Sequence, residues 1–177
     1  MCISFLCHGL AVPPVCKPAV AGVGDPGNDT VPQTVLVRDN SDGTTDKPLG
    51  IEAKVTSDFV FSTAVTLQSD KKILMVGYSL NGAFKPDNHD LVLIRYNKDG
   101  SPDKNFGIDG MVIKPLKELG YKITVVLQTD NTIVVASDIG NIGIRDFLIL
   151  RFNANGSLDT SFGTQGIVKI GNGNTDI

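Results

Sequence analysis

The sequence repeats one polar, glycine-rich phrase: RYNKDGSPDKNFGIDGMV at residues 95–112 and RFNANGSLDTSFGTQGIV at residues 151–168. The second copy begins 56 residues after the first, in a chain of 177 residues. Self-similarity at a fixed spacing is typical of repeat proteins, in which each copy forms one structural unit that stacks on its neighbours. The phrase therefore predicts a repeated fold.

A second phrase repeats in step with the first. AVTLQSDKKILMVG at residues 64–77 is matched by TVVLQTDNTIVVAS at residues 124–137. A more diverged copy of the opening phrase lies upstream, in TVLVRDNSDGTTDKPLGIEAKV at residues 34–55. The repeat domain is predicted over residues 31–177, with units at residues 31–56, 57–112 and 113–168 and with residues 169–177 starting a further unit.

Each full unit predicts four β-strands, and no segment has apolar residues at helical spacing. The middle strands are apolar at consecutive positions, which indicates that both faces of each sheet are covered. These segments are ILMV (73–76), LVLI (91–94), IVVA (133–136) and FLIL (147–150). The predicted fold class is all-β: an incomplete β-propeller-like array of four-stranded antiparallel blades, with about two and a half repeats of about 56 residues.

The polar residues of the repeated phrase suit turns and joints between blades. Asparagine hydrogen-bonds backbone amides, glycine supplies positive φ, phenylalanine anchors the turn between blades, and arginine pairs with the repeated aspartate. The predicted structural positions are Arg95, Asn97, Gly100, Asp103, Phe106 and Gly107 in one copy, and Arg151, Asn153, Gly156, Asp159, Phe162 and Gly163 in the other.

Calcium binding is the alternative interpretation of the phrase. Asn97, Asp99, Ser101 and Asp103 alternate oxygen-bearing side chains, as calcium loops do. The second copy has Asn155 in place of Asp99, however, and no glutamate ends the loop as a bidentate ligand. The turn interpretation is favoured, so no cofactor and no metal site are predicted.

Function is expected in the segments that the repeats do not share. The clearest is SLNGAFKPDNHD at residues 79–90, whose Asn81, Phe84, Lys85 and His89 are the predicted ligand-binding residues. The alternative is a polar hairpin loop with Phe84 packed down. The other unshared segment is PLKELGYK at residues 115–122, in which Leu119 and Tyr121 are expected in the core.

The sequence holds no recognised catalytic motif. It has no G-x-S-x-G, no H-E-x-x-H and no phosphate-binding glycine loop, and its only histidines are His8 and His89. Asp99 with Asp103 or Asp109 is a conceivable carboxylate pair for glycoside cleavage, but aspartates are common in turns. The chain is therefore predicted not to be an enzyme.

Charge and hydropathy exclude two classes of partner. A net charge of −3 without a block of Lys or Arg argues against nucleic acid. No apolar run reaches the roughly 20 residues that span a bilayer.

Residues 1–30 are predicted to be a signal-like leader or a disordered segment. They contain all three cysteines, Cys2, Cys7 and Cys16, and the small-x-small pattern Ala19-Val20-Ala21, which is typical of signal cleavage sites. A location outside the cell or at its surface follows from this expectation.

The phrases LVLIRYNKDGSPDKNFGIDGMV and VTLQSDKKILMVGYS resemble the bacterial delta-60 repeat, over about residues 33–170. The resemblance implies β-propeller blades in large, mostly secreted or surface proteins of unknown function. The chain departs from the family in the first hairpin of each unit, where Asp70-Lys71 and Asp130-Asn131 replace the usual Asp-Gly.

These observations predict a non-enzymatic interaction or adhesion scaffold, part of a larger secreted or surface protein, with a protein or glycan surface as partner. The alternatives are a glycan-acting propeller enzyme whose site needs further blades, and a purely structural spacer. Propellers close with about four to eight blades, so further blades or self-association are expected to complete a ring.

Overall fold

The computed structural model describes residues 19–24, 33–40, 42, 44, 46, 54–58, 60–80, 89–116, 118–140 and 145–171. Within these ranges the chain forms eleven β-strands and no helix. The strands are β1 (Ala19–Gly24), β2 (Gln33–Arg38), β3 (Lys54–Asp58), β4 (Val60–Leu67), β5 (Ile73–Leu80), β6 (His89–Tyr96), β7 (Met111–Pro115), β8 (Thr124–Leu127), β9 (Ile133–Ile139), β10 (Asp146–Phe152) and β11 (Ile167–Ile170).

The strands form three antiparallel sheets in chain order, which we call blades. Blade 1 is β1-β2-β3, blade 2 is β4-β5-β6-β7 and blade 3 is β8-β9-β10-β11. The first strands of blades 2 and 3 lie side by side, and β1 lies beside β4. First strands that meet as β4 and β8 do are those that surround the axis of a propeller.

The register shows which strands of the blades correspond. The repeated arginine of each blade faces the preceding strand: Arg38 pairs with Ala19, Arg95 with Leu74 and Arg151 with Val134. β1 is therefore the equivalent of β5 and β9, the second strands of the full blades. The described part of blade 1 comprises its second, third and fourth strands.

Two boundaries differ from those predicted. Ala19–Gly24, assigned to the leader, forms β1 because it pairs along its whole length with Gln33–Arg38 of β2. β11 ends at Ile170, so residues 169 and 170 complete blade 3 instead of starting a further unit. The three cysteines of the predicted leader lie outside the described residues.

The first hairpins of blades 2 and 3 each contain a left-handed residue that is not glycine. Lys71 and Asn131 have φ values of 71° and 66°, in the left-handed region that glycine usually occupies. In each turn the preceding aspartate accepts the amide of the following residue: Asp70 from Lys72, and Asp130 from Thr132. The hydrogen bond of the aspartate therefore stabilises a turn in which Lys71 or Asn131 adopts a conformation that favours glycine.

Blade 2 is covered on both faces, as its consecutive apolar residues predict. The core between blades 1 and 2 consists of Leu36, Val65, Ile73, Met75, Val92, Ile94 and Tyr96. The core between blades 2 and 3 consists of Leu74, Val76, Leu91, Leu93, Phe106, Leu119, Ile123, Ile133, Val135, Ile139, Leu148, Leu150 and Phe152. All eight residues of β6 are buried. Its apolar residues alternate, with Leu91 and Leu93 in the core between blades 2 and 3 and Val92, Ile94 and Tyr96 in the core between blades 1 and 2. The predicted fold class is confirmed: the described residues form part of a β-propeller.

We expect substitution of an inward residue of β6 to destabilise two blades together. Leu93 is fully buried between blades 2 and 3, so Leu93→Ala should lower the free energy of unfolding by about 3 kcal/mol. Ile113 on β7 is more than half exposed, and Ile113→Ala should change the free energy by less than about 0.5 kcal/mol. Urea denaturation measures both, and equal effects would contradict the covered-blade arrangement.

Candidate functional site

The repeated phrase forms the turn that follows the arginine strand of each blade. The amide of Asn97 donates to Ser101 O at 2.8 Å and the amide of Gly100 donates to Asn97 O at 2.9 Å. Asn153 and Gly156 make the same bonds in the second copy. Gly100 and Gly156 have φ values of 85° and 88°, which require glycine in practice. We call this structure the asparagine turn.

An arginine joins blade 1 to the asparagine turn of blade 2, and another joins blade 2 to that of blade 3. Arg95 Nε donates to Asp103 Oδ2 at 2.7 Å, its guanidinium lies 4.4 Å from the centroid of the Phe106 ring, and Nη1 donates to Ala154 O of blade 3. Arg38 does the same one blade earlier, with Asp46 at 2.6 Å and Lys98 O at 2.6 Å. We call this set of contacts the arginine clamp.

Phe106 and Gly156 pack closely against each other at the joint between blades 2 and 3. Phe106 is fully buried between the blades, and a Cβ on Gly156 would lie 2.9 Å from the Phe106 ring. The amide of Gly107 donates to Asn155 O at 2.9 Å, which adds a backbone bond across the joint. The repeated phenylalanine and glycine therefore belong to the joint between blades 2 and 3.

The calcium candidates have their oxygens engaged within the turn and the clamp. Asp99 Oδ1 accepts from the amide and hydroxyl of Ser101 at 3.0 and 2.7 Å, and Asn155 makes the equivalent bonds to Ser157. Asp103 Oδ2 lies 3.1 Å from Lys72 Nζ and 2.7 Å from Arg95 Nε. The two positive charges beside this carboxylate disfavour the binding of a calcium ion there. Among the described residues, no three His, Cys, Asp or Glu side chains are grouped to hold a metal ion.

The pKa values of these aspartates follow from the same contacts. The hydroxyl of Ser101, and then its amide, lower the pKa of Asp99. Burial opposes ionisation of Asp103, but hydrogen bonds from Lys72 and the amide of Asn105, with the charge of Arg95, leave its pKa lowered. Both carboxylates are therefore ionised at neutral pH.

A different group of side chains lies at one edge of blade 2, beside the joint with blade 3. Its members are Phe61, Tyr78, His89 and Tyr121, which we call the aromatic cluster. Phe61 and Tyr78 stack at 5.2 Å between ring centroids, with an interplanar angle of 7°. Tyr78 contacts His89 edge-on at 5.0 Å and Tyr121 at 5.3 Å. His89 and Tyr121 lie 4.8 Å apart.

The antiparallel order of the sheet brings the cluster together. Phe61 begins β4, Tyr78 lies near the end of β5 and His89 begins β6, so all three lie at the same edge. Phe61 and Tyr78 are direct cross-strand partners, next to a β-bulge in β4. A Cβ on Gly77 would lie 2.0 Å from Phe61 O, so glycine is required for the close approach of these two strands.

Exposure within the cluster is graded. Tyr121 is 46% exposed, Tyr78 is half-buried and His89 is only 2% exposed. Burial, and then the neighbouring Tyr121, raise the pKa of the Tyr78 hydroxyl, so it remains a protonated donor at neutral pH. His89 Nδ1 is buried without a hydrogen-bond partner. The cluster thus combines the exposed ring of Tyr121 with a buried nitrogen of His89 that has no hydrogen-bond partner.

The structure places only one of the four predicted ligand-binding residues. His89 lies in the aromatic cluster, whereas Asn81, Phe84 and Lys85 lie outside the described residues. Sequence reasoning missed Phe61 and Tyr78. Alignment of the two repeats could have indicated Tyr78, because the second repeat has Asp138 at this position and the two copies therefore do not share it.

The expectation that Tyr121 lies in the core is wrong. Leu119 is buried as expected, because it pairs with Ile139 at the end of β9. Tyr121 follows this short pairing and lies in the connection that leads to β8. One face of its ring packs on Tyr78 and His89, and nearly half of the side chain remains accessible to solvent.

Comparison with known protein families matches the two copies of the repeat. Residues 68–106 and 128–162 match the family model described as "Domain of unknown function (DUF5122) beta-propeller". Each match begins at the first hairpin of a blade and ends at the phenylalanine of the asparagine turn. The two repeats are β-propeller repeats.

Searches of curated proteins and of solved structures gave no match to this propeller chain. The more specific resemblance to the delta-60 repeat stays a prediction. In the described part of the propeller, no helix is long and apolar enough to cross a membrane.

We expect the arginine clamp to make stability depend on pH. Because the pKa of folded Asp103 is lowered, its contribution is fully present above the pKa of an unfolded aspartate, about 3.9, and is lost as the pH falls through the folded value. Asp103→Asn should lower the free energy of unfolding at neutral pH by about 3 kcal/mol and flatten its pH dependence below about pH 4.

Urea denaturation across the acid range measures this effect. Asp70→Asn is the matched control, because the Asp70 carboxylate is more than half exposed and lies 3.6 Å from Lys72. An exposed pair of this kind contributes about 0 to 1 kcal/mol. A control variant as unstable as Asp103→Asn would contradict the role of the buried clamp.

Proposed function

We propose that the protein is a non-enzymatic interaction scaffold that binds a glycan surface at the aromatic cluster. The observation that carries the proposal is the exposed Tyr121 ring, packed edge-on against Tyr78 and His89. Sugars present apolar C–H faces that stack on aromatic rings, and hydroxyl groups that need hydrogen-bond partners. The hydroxyls of Tyr78 and Tyr121 are polar groups of the matching kind.

The position of the cluster on the propeller supports binding. Tyr78 and His89 extend from β5 and β6, the two central strands of the blade that is covered on both faces. A site built on rigid strands loses little conformational entropy when a ligand binds. Tyr78 and His89 occupy positions where the second copy has Asp138 and Arg145. Positions that differ between copies can form a binding site without changing the shared fold.

The state of the aspartates supports a role without catalysis. Inverting and retaining glycosidases both need one carboxylic acid whose raised pKa allows it to donate a proton. Asp99 and Asp103 have lowered pKa values instead. Their carboxylates bond to Ser101 and to the cations of the clamp, where they act as parts of the joint.

Glycan binding should depend on the ring of Tyr121. After a glycan array has identified a ligand, calorimetric titration should show Tyr121→Ala binding it about thirtyfold more weakly, since loss of a central aromatic contact costs about 2 kcal/mol. Tyr121→Phe keeps the ring and should retain most of the affinity. Ile108→Ala, a change at another highly exposed apolar residue, should have no effect.

Three results would contradict the proposal. They are an array without binding, a Tyr121→Ala variant that binds as the parent does, and hydrolysis of a panel of chromogenic glycosides. If the protein bound to cells and protease treatment abolished that binding, the partner would be a surface protein and the glycan assignment would be wrong.

Export to the cell surface or the medium is part of the proposal. It rests on the apolar N-terminal segment and on the resemblance to repeats of surface proteins. Cleavage after Ala21 would remove half of β1 and unpair Leu36–Arg38 of β2. We therefore expect the exported chain to retain Ala19–Gly24, as N-terminal sequencing of protein from a bacterial culture would show. Exclusive recovery from the cytoplasm, or an N-terminus at Gly22, would contradict this expectation.

A further inference from the structure

The outer face of blade 3 is apolar and uncovered. Phe147 is 68% exposed, and Val126 is also largely exposed. Phe147 and Ile149 occupy the positions that Leu91 and Leu93 occupy in blade 2, where both leucines are fully buried against the next blade. The burial of β10 alternates, whereas β6 is buried throughout. The same repeat surface is therefore an internal joint in blade 2 and open in blade 3.

The same face carries an arginine clamp that reaches no further blade. Arg151 pairs with Asp159 at 2.7 Å and lies 4.6 Å from the Phe162 ring centroid, as Arg95 does with Asp103 and Phe106. No carbonyl of another blade accepts from Arg151 among the described residues. Its side chain is 27% exposed, against 7% for Arg95. Arg151 is thus positioned as the arginine of a joint, but no backbone carbonyl of a further blade accepts a hydrogen bond from it among the described residues.

Blade 1 presents the opposite half of the joint. The amide of Asn40 donates to Thr44 O at 2.7 Å and the amide of Thr44 donates to Asp42 Oδ1 at 2.9 Å. These are the bonds of the asparagine turn, the element that accepts the arginine at both internal joints. On the outer face of β2, Val35 and Val37 are only half-buried, although their counterparts in β6 are buried against blade 1.

We propose that two copies of the chain join head to tail, with blade 3 of one copy packed on blade 1 of the other. Arg151 then donates to the asparagine turn of the second copy, and Phe147 packs against the face that carries Val37. The argument is continuity with the two internal joints, since the arginine half of that joint is exposed on blade 3 and the described bonds of the corresponding asparagine turn lie on blade 1, at the opposite end of the array. Such a contact is heterologous, so a second identical joint can close a ring.

The test is the mass of the purified chain in solution, by light scattering coupled to size exclusion. We expect twice the 18.8 kDa of one chain. Phe147→Asp should halve the mass, because it places a charge in the joint, and Arg151→Glu should do the same. Both residues are at least partly exposed in the single chain, so circular dichroism should show retained strand content. Ile113→Asp, at an exposed residue of β7, is the control that should leave the mass doubled.

A blade 1 variant decides the orientation. Val37→Asp should also halve the mass, with Val35→Asp as the second variant if the first does not fold. A parent chain that is monomeric, a doubled mass that survives Phe147→Asp, or a dimer that survives a folded blade 1 variant would overturn the proposal. A monomeric Phe147→Asp chain should still bind glycan through the aromatic cluster, so failure of the ring and failure of the binding site are distinguishable.

Discussion

The buried guanidinium of the arginine clamp is the interaction on which the arrangement of the blades depends. A charge between two sheets is tolerated only when it is paired and hydrogen-bonded. Arg95 meets this condition through Asp103 in its own blade and a carbonyl of the next blade. Its geometry therefore fixes how far one blade lies from the next, and Arg38 fixes the preceding joint in the same way.

The composition of the repeated phrase follows from the clamp. Each aspartate lies eight positions after its arginine, and the chain must turn between them so that the carboxylate faces back to the guanidinium. The asparagine turn achieves this, and a glycine at its tip allows the phenylalanine of the preceding blade to approach. Because Asn155 bonds as Asp99 does, the turn needs an acceptor oxygen at this position and not a charge.

The aromatic cluster shows how a repeat protein obtains a site. Blade 3 has Asp138 where blade 2 has Tyr78 and Arg145 where blade 2 has His89, and these two residues form an ion pair instead of a ring contact. The common frame places both positions at the same edge of the sheet, but only blade 2 assembles the rings. Divergence at a few edge positions therefore creates a candidate binding surface while the joints that hold the blades remain the same.

Sequence alone determined the repeat, the strands and the two-sided burial of the middle strands of blade 2, because these depend on local periodicity and on residues that recur at a fixed offset. It also predicted His89 as part of a candidate site. Only the tertiary structure decided that Tyr121 is exposed, that Phe61 and Tyr78 join His89, and that residues 19–24 form a strand. These features depend on contacts between segments far apart in the chain, where strand order and the neighbouring blade determine which faces meet and which stay open.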